Sequence, residues 1–461
     1  MIFSSNTFLF LFLPVVLCGF FAVGAAFGRT AGVAWLTISS IVFYGWSGWD
    51  LVPLIVASVL FNYFVHRALV RRRGEPRTAR WIFAGAIAVN LVCLGYFKYA
   101  DFGIATLNAV FGAGLPLWHV VLPLGISFFT LQQISFLSDV RRGQLPALDF
   151  LRYAVCVVFF PHLIAGPIVR YAQIYRQFDD RLVRVVPHNV LVGLALLSVG
   201  VFKKVIMGDG LAVFVDHGYA HYAELGFVDA WLVALLFGFE IYFDFSGYSD
   251  MAIGMARIFN IRFPDNFNSP YQSLSVQEFW RRWHMTLSRF LRDYLYIPLG
   301  GSERGTLMTL RNVAIVFLLG GLWHGANWTF VVWGALQGIG VGASVIWQRA
   351  GFAIPAVLAW TLTFLYTTVS WVFFRAPDFD VAWTVLRAMA NPGASGAPAV
   401  IPMLYAGTAL ACCFASNWLP NSNRISEWQD VGWRRVVAHA GLAALALAFL
   451  GEGQPFIYFK F

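Results

Sequence analysis

Apolar residues run the length of this chain in long blocks, near 3–27, 31–46, 51–70, 81–98, 117–137, 151–169, 190–213, 228–256, 312–348, 354–374, 400–420 and 434–450. About 20 apolar residues cross a hydrocarbon core of roughly 30 Å, so these blocks predict ten to twelve transmembrane or re-entrant helices. The fold class expected is therefore all-α, a polytopic integral membrane protein. The block from Asn312 to Gln348 carries no charge, and His324 stands near its middle, within Gly320-Gly321-Leu322-Trp323-His324-Gly325-Ala326-Asn327-Trp328. An ionisable side chain at membrane depth is costly to keep and reads first as a functional group.

Composition agrees. The 461 residues are 59% hydrophobic and only 12% charged, too apolar for a soluble domain. No internal repeat, soluble domain or long linker is visible, and Asn391 to Pro398 reads as a loop. The expectation is one integral membrane domain over 1–461, with its core at about 90–375. No Lys or Arg precedes Arg29, so the first block lacks the basic start of a secretory signal and reads as a retained helix.

Positive residues crowd the loop holding Arg67, Arg71, Arg72, Arg73, Arg77 and Arg80, which should be cytoplasmic and leaves Met1 outside. Arg141, Arg142 and Arg152 then fall inside, with Arg170, Arg176, Arg181 and Arg184 if the segment between them does not cross. Pro161 to Pro167, containing Gly166-Pro167, predicts a re-entrant hairpin there, because Gly-Pro breaks a helix and protein can bury the freed backbone. The net charge of +9 is explained by orientation and anionic lipid headgroups, so lipids are expected partners and nucleic acid is not. Cys18, Cys93, Cys156, Cys412 and Cys413 lie in apolar stretches without Cys-x-x-Cys spacing and read as core fillers. Neither they nor the histidines have metal-ligand spacing, and no metal or bound cofactor is expected.

A second chemical segment runs from Ser275 to Tyr296. Ser275 with Glu278 makes a capping-box pattern, and Pro298 with Gly300-Gly301 marks the far end, which predicts one helix over 276–296. On a 3.6-residue wheel Trp280, Trp283, Leu287, Phe290, Leu291 and Tyr294 share a face, and Arg281, Arg282, Arg289 and Arg292 take the other. His284 stands at the edge of the apolar face. Such a helix suits a cytoplasmic membrane interface, its arginines meeting headgroups or a phosphorylated ligand. Plain anchoring, with His284 merely bonding a neighbour, fits the spacing equally well.

A straight helix from Asn312 to Gln348 would be about 55 Å long, far beyond one bilayer. Gly320, Gly321 and Gly325 predict a break beside His324. Small residues there let another helix or a ligand approach, and Trp323, Asn327 and Trp328 supply amphipathic side chains. A lone buried histidine is commonly structural. One on interrupted helix inside a membrane is a catalytic candidate.

Together, Phe279-Trp280-Arg281-Arg282-Trp283-His284 through Asp293-Tyr294-Leu295-Tyr296, Gly300-Gly301, and Gly320 to Asn327 resemble the membrane-bound O-acyltransferases, and among them most the bacterial alginate O-acetyltransferase branch. Further matches are Phe3-Ser4-Ser5-Asn6, Leu94 to Tyr99, Pro161 to Pro167, Tyr242 to Asp250, and the terminal Phe456-Ile457-Tyr458-Phe459. The likeness is strongest over 123–333 and loose over 376–454. It implies acyl transfer to a hydroxyl, with His324 matching the family's intramembrane histidine and His284 its second polar site. Chemistry points the same way, since a neutral imidazole can take the proton of an attacking alcohol, an effect typically worth about 10²–10⁴-fold.

The expected catalytic residues are thus His324, as general base, and His284, which would orient the donor or stabilise an oxyanion. Trp323, Asn327, Arg281, Arg282 and Asp293 are the expected substrate-binding set. An acyl-histidine intermediate stays open. The donor would be an acyl thioester, acetyl-CoA or acyl-carrier protein, on the cytoplasmic side of a bacterial inner membrane, with Lys203 and Lys204 either joining its phosphate site or snorkelling. Likeness further implies a periplasmic acetyltransferase partner and a complex that O-acetylates an exopolysaccharide such as alginate or cellulose. Two rival readings are a proton-coupled transporter, prompted by Glu240, Asp244 and Asp250 in one apolar block, and a non-catalytic subunit of a polysaccharide-export complex.

Overall fold

Among the described residues each apolar block contains helix, although 117–125 and 164–169 are not helical. The computed structural model describes residues 1–178, 182–394, 402–451 and 456–457, and among these it holds no strand. Arg181, residues 395–398 of the expected loop, and Tyr458 and Phe459 lie outside them. Seven helices among the described residues are long and apolar enough to cross a bilayer: Phe8–Phe27, Trp49–Arg71, Pro76–Phe111, Pro187–Ala220, Gly305–His324, Trp328–Ala350 and Ala356–Arg375. Helices Arg29–Gly45, Ile126–Arg141, Phe227–Ile258, Met403–Asn417 and Trp433–Ala448 occupy other apolar blocks. The protein is a polytopic helical membrane protein.

Contacts divide the chain into two compact units. The first comprises Met1–Leu197, Ser249–Pro264 and Trp428–His439. Here helices Leu13–Phe27 and Arg29–Gly45 pack so closely that a Cβ at Gly19 would fall 2.3 Å from the Trp35 ring, whose indole N–H donates to the Val16 carbonyl at 3.1 Å. Asn62 and Asn90 exchange side-chain hydrogen bonds at 2.9 and 3.2 Å, a polar link inside an apolar pair of helices. The segment predicted to be re-entrant is indeed interrupted. Helix Phe150–Val158 is capped by Asp149, a four-residue turn Phe160–Leu163 follows, and the chain then leaves regular helix. His162 is fully buried there beside Gln132, 2.8 Å from its amide nitrogen.

The second unit comprises Ser198–Tyr248, Asp265–Glu427 and Ala440–Phe461. At its centre helices Gly305–His324 and Trp328–Ala350 meet backbone to backbone. A Cβ at Gly321 would stand 2.3 Å from the Phe330 carbonyl oxygen, and one at Gly334 would stand 2.4 Å from that of Phe317. Only glycine fits this crossing, which is how small residues bring membrane helices together. Of the five cysteines, Cys156 and Cys413 are buried as expected of core fillers; Cys18 and Cys412 are exposed, which corrects that expectation for them.

Candidate active site

The predicted helix over 276–296 is not continuous. Its start is as expected, since Ser275 Oγ accepts the Glu278 N–H at 3.1 Å and Glu278 Oε2 accepts the Leu274 N–H at 2.9 Å. The helix then stops at Arg282, a second begins at Met285 and runs to Leu291, and a π-turn covers Arg292–Tyr296. Between them Trp283 is extended, and His284 is left-handed with φ 39°. Such a backbone is costly for a residue with a side chain and persists only where its surroundings impose it.

Asn266 imposes it. Its Oδ1 accepts from His284 Nδ1 at 3.0 Å, from Thr286 Oγ1 at 2.8 Å and from the Thr286 N–H at 3.3 Å. Its carbonyl accepts the Met285 N–H at 2.8 Å, and the Asn268 N–H donates to the Arg282 carbonyl at 2.9 Å. These bonds replace the helical ones lost at the break, as buried backbone groups require.

They also fix the proton on His284. Because a backbone N–H points at Asn266 Oδ1, that atom is the acceptor, so Nδ1 of the imidazole carries the hydrogen and Nε2 offers a lone pair. Nε2 is buried with no hydrogen-bond partner among the described residues. The ring is wholly buried, with Phe245 at 4.7 Å, and burial pushes its pKa down to about 3. As a neutral ring in this tautomer, His284 presents an acceptor, not a donor, to anything that reaches Nε2.

His324 is held differently. It is the last residue of helix Gly305–His324, and Gly325 follows in extended conformation, so the expected break falls directly after the histidine. Asn327 caps the next helix, its Oδ1 accepting the Thr329 N–H at 3.0 Å while Nδ2 donates to the Pro377 carbonyl at 2.7 Å. Both ends of this expected substrate-binding amide are therefore engaged in shaping the break. The His324 ring is 6% exposed and enclosed by aromatic rings: Trp333 at 5.0 Å, Phe374 at 5.5 Å and Trp323 at 5.0 Å. Trp323 also lies 6.2 Å from His284. One indole thus flanks both histidines, which the sequence separates by forty residues.

Beside this cluster is a cavity of about 610 Å³. Arg281, Arg289, Arg292 and Arg349 line it together with Trp280 and Met285. Four guanidinium groups around one opening favour an anionic, phosphate-bearing ligand. The expected basic set is split by the fold. Arg281 faces the cavity, whereas Arg282 is drawn away into an ion pair with Glu278 at 2.8 Å, and Asp293 holds the cavity's Arg292 at 2.6 Å without lining the cavity itself. Asn266, Trp333, Gln337 and Arg349 were not singled out from sequence. Only Arg349, a charge closing a long uncharged helix, carried a local signal.

One of the three carboxylates that prompted a transport reading, Asp244, is tied into structure. Asp244 pairs with the buried Lys204, which also binds Asp209 at 2.6 Å, and accepts the Ile457 N–H at 2.9 Å. Lys204 is thereby internal and neither snorkels nor reaches the cavity, while Lys203 donates to Ser422 Oγ at 3.0 Å.

Comparison with known proteins fits this arrangement. Residues 118–374 match the model of the MBOAT, membrane-bound O-acyltransferase family. The peptidoglycan O-acetyltransferase of Helicobacter pylori is 37% identical, over 100% of this chain and 98% of that protein. The probable alginate O-acetylase AlgI of Pseudomonas aeruginosa is 43% identical, over 85% of this chain and 75% of its own. The teichoic acid D-alanyltransferase of Bacillus subtilis is 24% identical, over 71% of this chain and 90% of its own. A helical membrane protein with two buried histidines about one indole, matched to that family across its middle and to O-acetyltransferases over most of its length, is an acyltransferase and belongs to the membrane-bound O-acyltransferase family.

Proposed function

We propose that this enzyme moves an acetyl-sized acyl group from a cytoplasmic thioester, acetyl-CoA or acyl-carrier protein, to a hydroxyl for O-acetylation of a cell-surface polysaccharide. The relatives named as alginate and peptidoglycan acetylases support a glycan as the final acceptor. A bacterial inner membrane, Met1 on the periplasmic side, and a periplasmic acetyltransferase partner within a polysaccharide-modifying complex complete the reading. The observation that carries it is the row from the arginine-lined cavity through Trp280 and Trp333 to His324.

His324 is the general base in this scheme. The acceptor oxygen attacks the thioester carbonyl as its proton passes to the imidazole. The tetrahedral intermediate then collapses, the C–S bond breaks, and the thiolate leaves with a proton returned by the imidazolium. Positive charge develops on His324 at the carbonyl end of a twenty-residue helix, where the helix dipole favours it. Neutral His284 would serve as an acceptor that orients the donor or the attacking hydroxyl; oxyanion stabilisation would require its protonated form. The arginines bind donor phosphates, and Trp323 spaces the two rings. No residue cluster among the described residues suits a metal ion, and no step in this scheme calls for one.

The test is acyl transfer to soluble polysaccharide oligomers by purified wild type and His324→Ala, each with acetyl-CoA and an acetyl-carrier protein. A folded His324→Ala protein should lose about 10²–10⁴-fold in rate. Retained transfer would remove His324 as the base. Absence of transfer by wild type from either donor would favour the transport or scaffold readings instead.

A further inference from the structure

His324 does not line the arginine cavity; Trp280 does, and Trp333 links it to the histidine. Its ring lies 5.8 Å from that of Trp333, and the Trp333 ring lies edge-on to His324 at 5.0 Å. Trp280 is 8% exposed and is secured from several sides. Its indole N–H donates to Gln337 Oε1 at 3.0 Å, Gln337 Nε2 in turn donates to Ser370 Oγ at 2.6 Å, and Phe317 packs against the ring at 5.0 Å. Swinging the indole aside would strand its own N–H and Gln337 Oε1, so the ring behaves as a fixed wall.

We propose that Trp280 sets the length of acyl group this enzyme accepts. This rests on the function proposed above and adds the element that selects the substrate. A donor whose phosphates lie among the arginines must send its acyl end past Trp280 to reach His324. With the indole held in place, an acetyl-sized group has room and a longer chain meets the ring. An apolar wall of this kind discriminates steeply, since one methylene in a fitted pocket is worth roughly tenfold or more in kcat/KM. Replacing the indole with a smaller side chain would extend the cavity towards Trp333.

The experiment compares acetyl-, butanoyl- and hexanoyl-CoA as probes, with soluble polysaccharide oligomers supplied as the hydroxyl acceptor, reading thiol release by the purified full-length protein in nanodiscs. Wild type should favour acetyl. In Trp280→Ala the hexanoyl-to-acetyl ratio of kcat/KM should rise about tenfold or more. Trp280→Phe should fall between, and Gln337→Leu, which keeps the indole but releases its N–H, should raise the ratio by less. Should Trp280→Ala fail to fold, the other two variants decide. An unchanged ratio in the folded variants, or equal use of acetyl and hexanoyl by wild type, overturns the proposal while leaving acyl transfer intact. No thiol release from acetyl-CoA or acetyl-carrier protein by wild type overturns the underlying function instead.

Discussion

The two histidine-bearing breaks of the second unit solve the same problem in opposite ways. At His324 the helix simply ends, glycine carries the chain onward in an extended conformation, and Asn327 caps the next helix. At His284 no glycine is present, and a loop residue far back in the chain, Asn266, forces the histidine itself into a left-handed backbone while bonding its ring. The first arrangement encloses the imidazole among aromatic rings at a helix terminus. The second locks tautomer and orientation. A base that must accept and return a proton gains from the first, and a group that must hold its position gains from the second.

The largest test of that contrast is Asn266→Ala. It removes the acceptor shared by the His284 Nδ1–H and both Thr286 donors, and an unsatisfied buried donor costs about 1–3 kcal/mol. Thermal unfolding should register a loss at the upper end of that range, with transfer activity falling even where the protein stays folded. Survival of both would mean that His284 is held by packing alone.

Acidity provides the next test. The folded-state pKa of His284 lies near 3, below the roughly 6.5 of an unfolded histidine, so the unfolded chain takes up the proton first as pH falls. Its contribution to stability is full above about pH 6.5 and shrinks by about 1.4 kcal/mol per unit below it, until the folded ring also titrates near 3. Wild type should therefore lose stability between pH 6 and 4 more steeply than His284→Asn, as followed by unfolding in detergent. Parallel curves would contradict the buried neutral ring.

The smallest expected effect is that of Asn327→Ala. Loss of a helix N-cap costs about 1 kcal/mol, and because Gly325 still ends the preceding helix, His324 should keep its place. Destabilisation as deep as that of Asn266→Ala would show that both breaks rely on side-chain scaffolding.

Which break the sequence foretold follows from the same difference. Gly320, Gly321 and Gly325 stand within a few residues of His324, and a run too long for one bilayer had to tilt, project or break, so the glycines made the break legible locally. Nothing between Val276 and Tyr296 is Gly or Pro, and the helical wheel passed smoothly over His284 because the residue that interrupts it lies eighteen positions away. The pull of Glu278 on Arg282 was available from its i,i+4 spacing, and its capping partner Ser275 was read correctly.

The sequence by itself determined that this is a helical membrane protein, where most of its helices run, and that His324 and His284 are its chemical candidates, because hydrophobic run length and short motifs are local properties of the chain. Only the tertiary structure decided that one indole flanks the two histidines, that Arg281 and Arg349 share a cavity while Arg282 does not, and that Trp333 touches both Trp280 and His324. Those relations depend on which helix faces meet, and in this unit the meeting is set by a glycine crossing and a distant asparagine that no periodicity reveals.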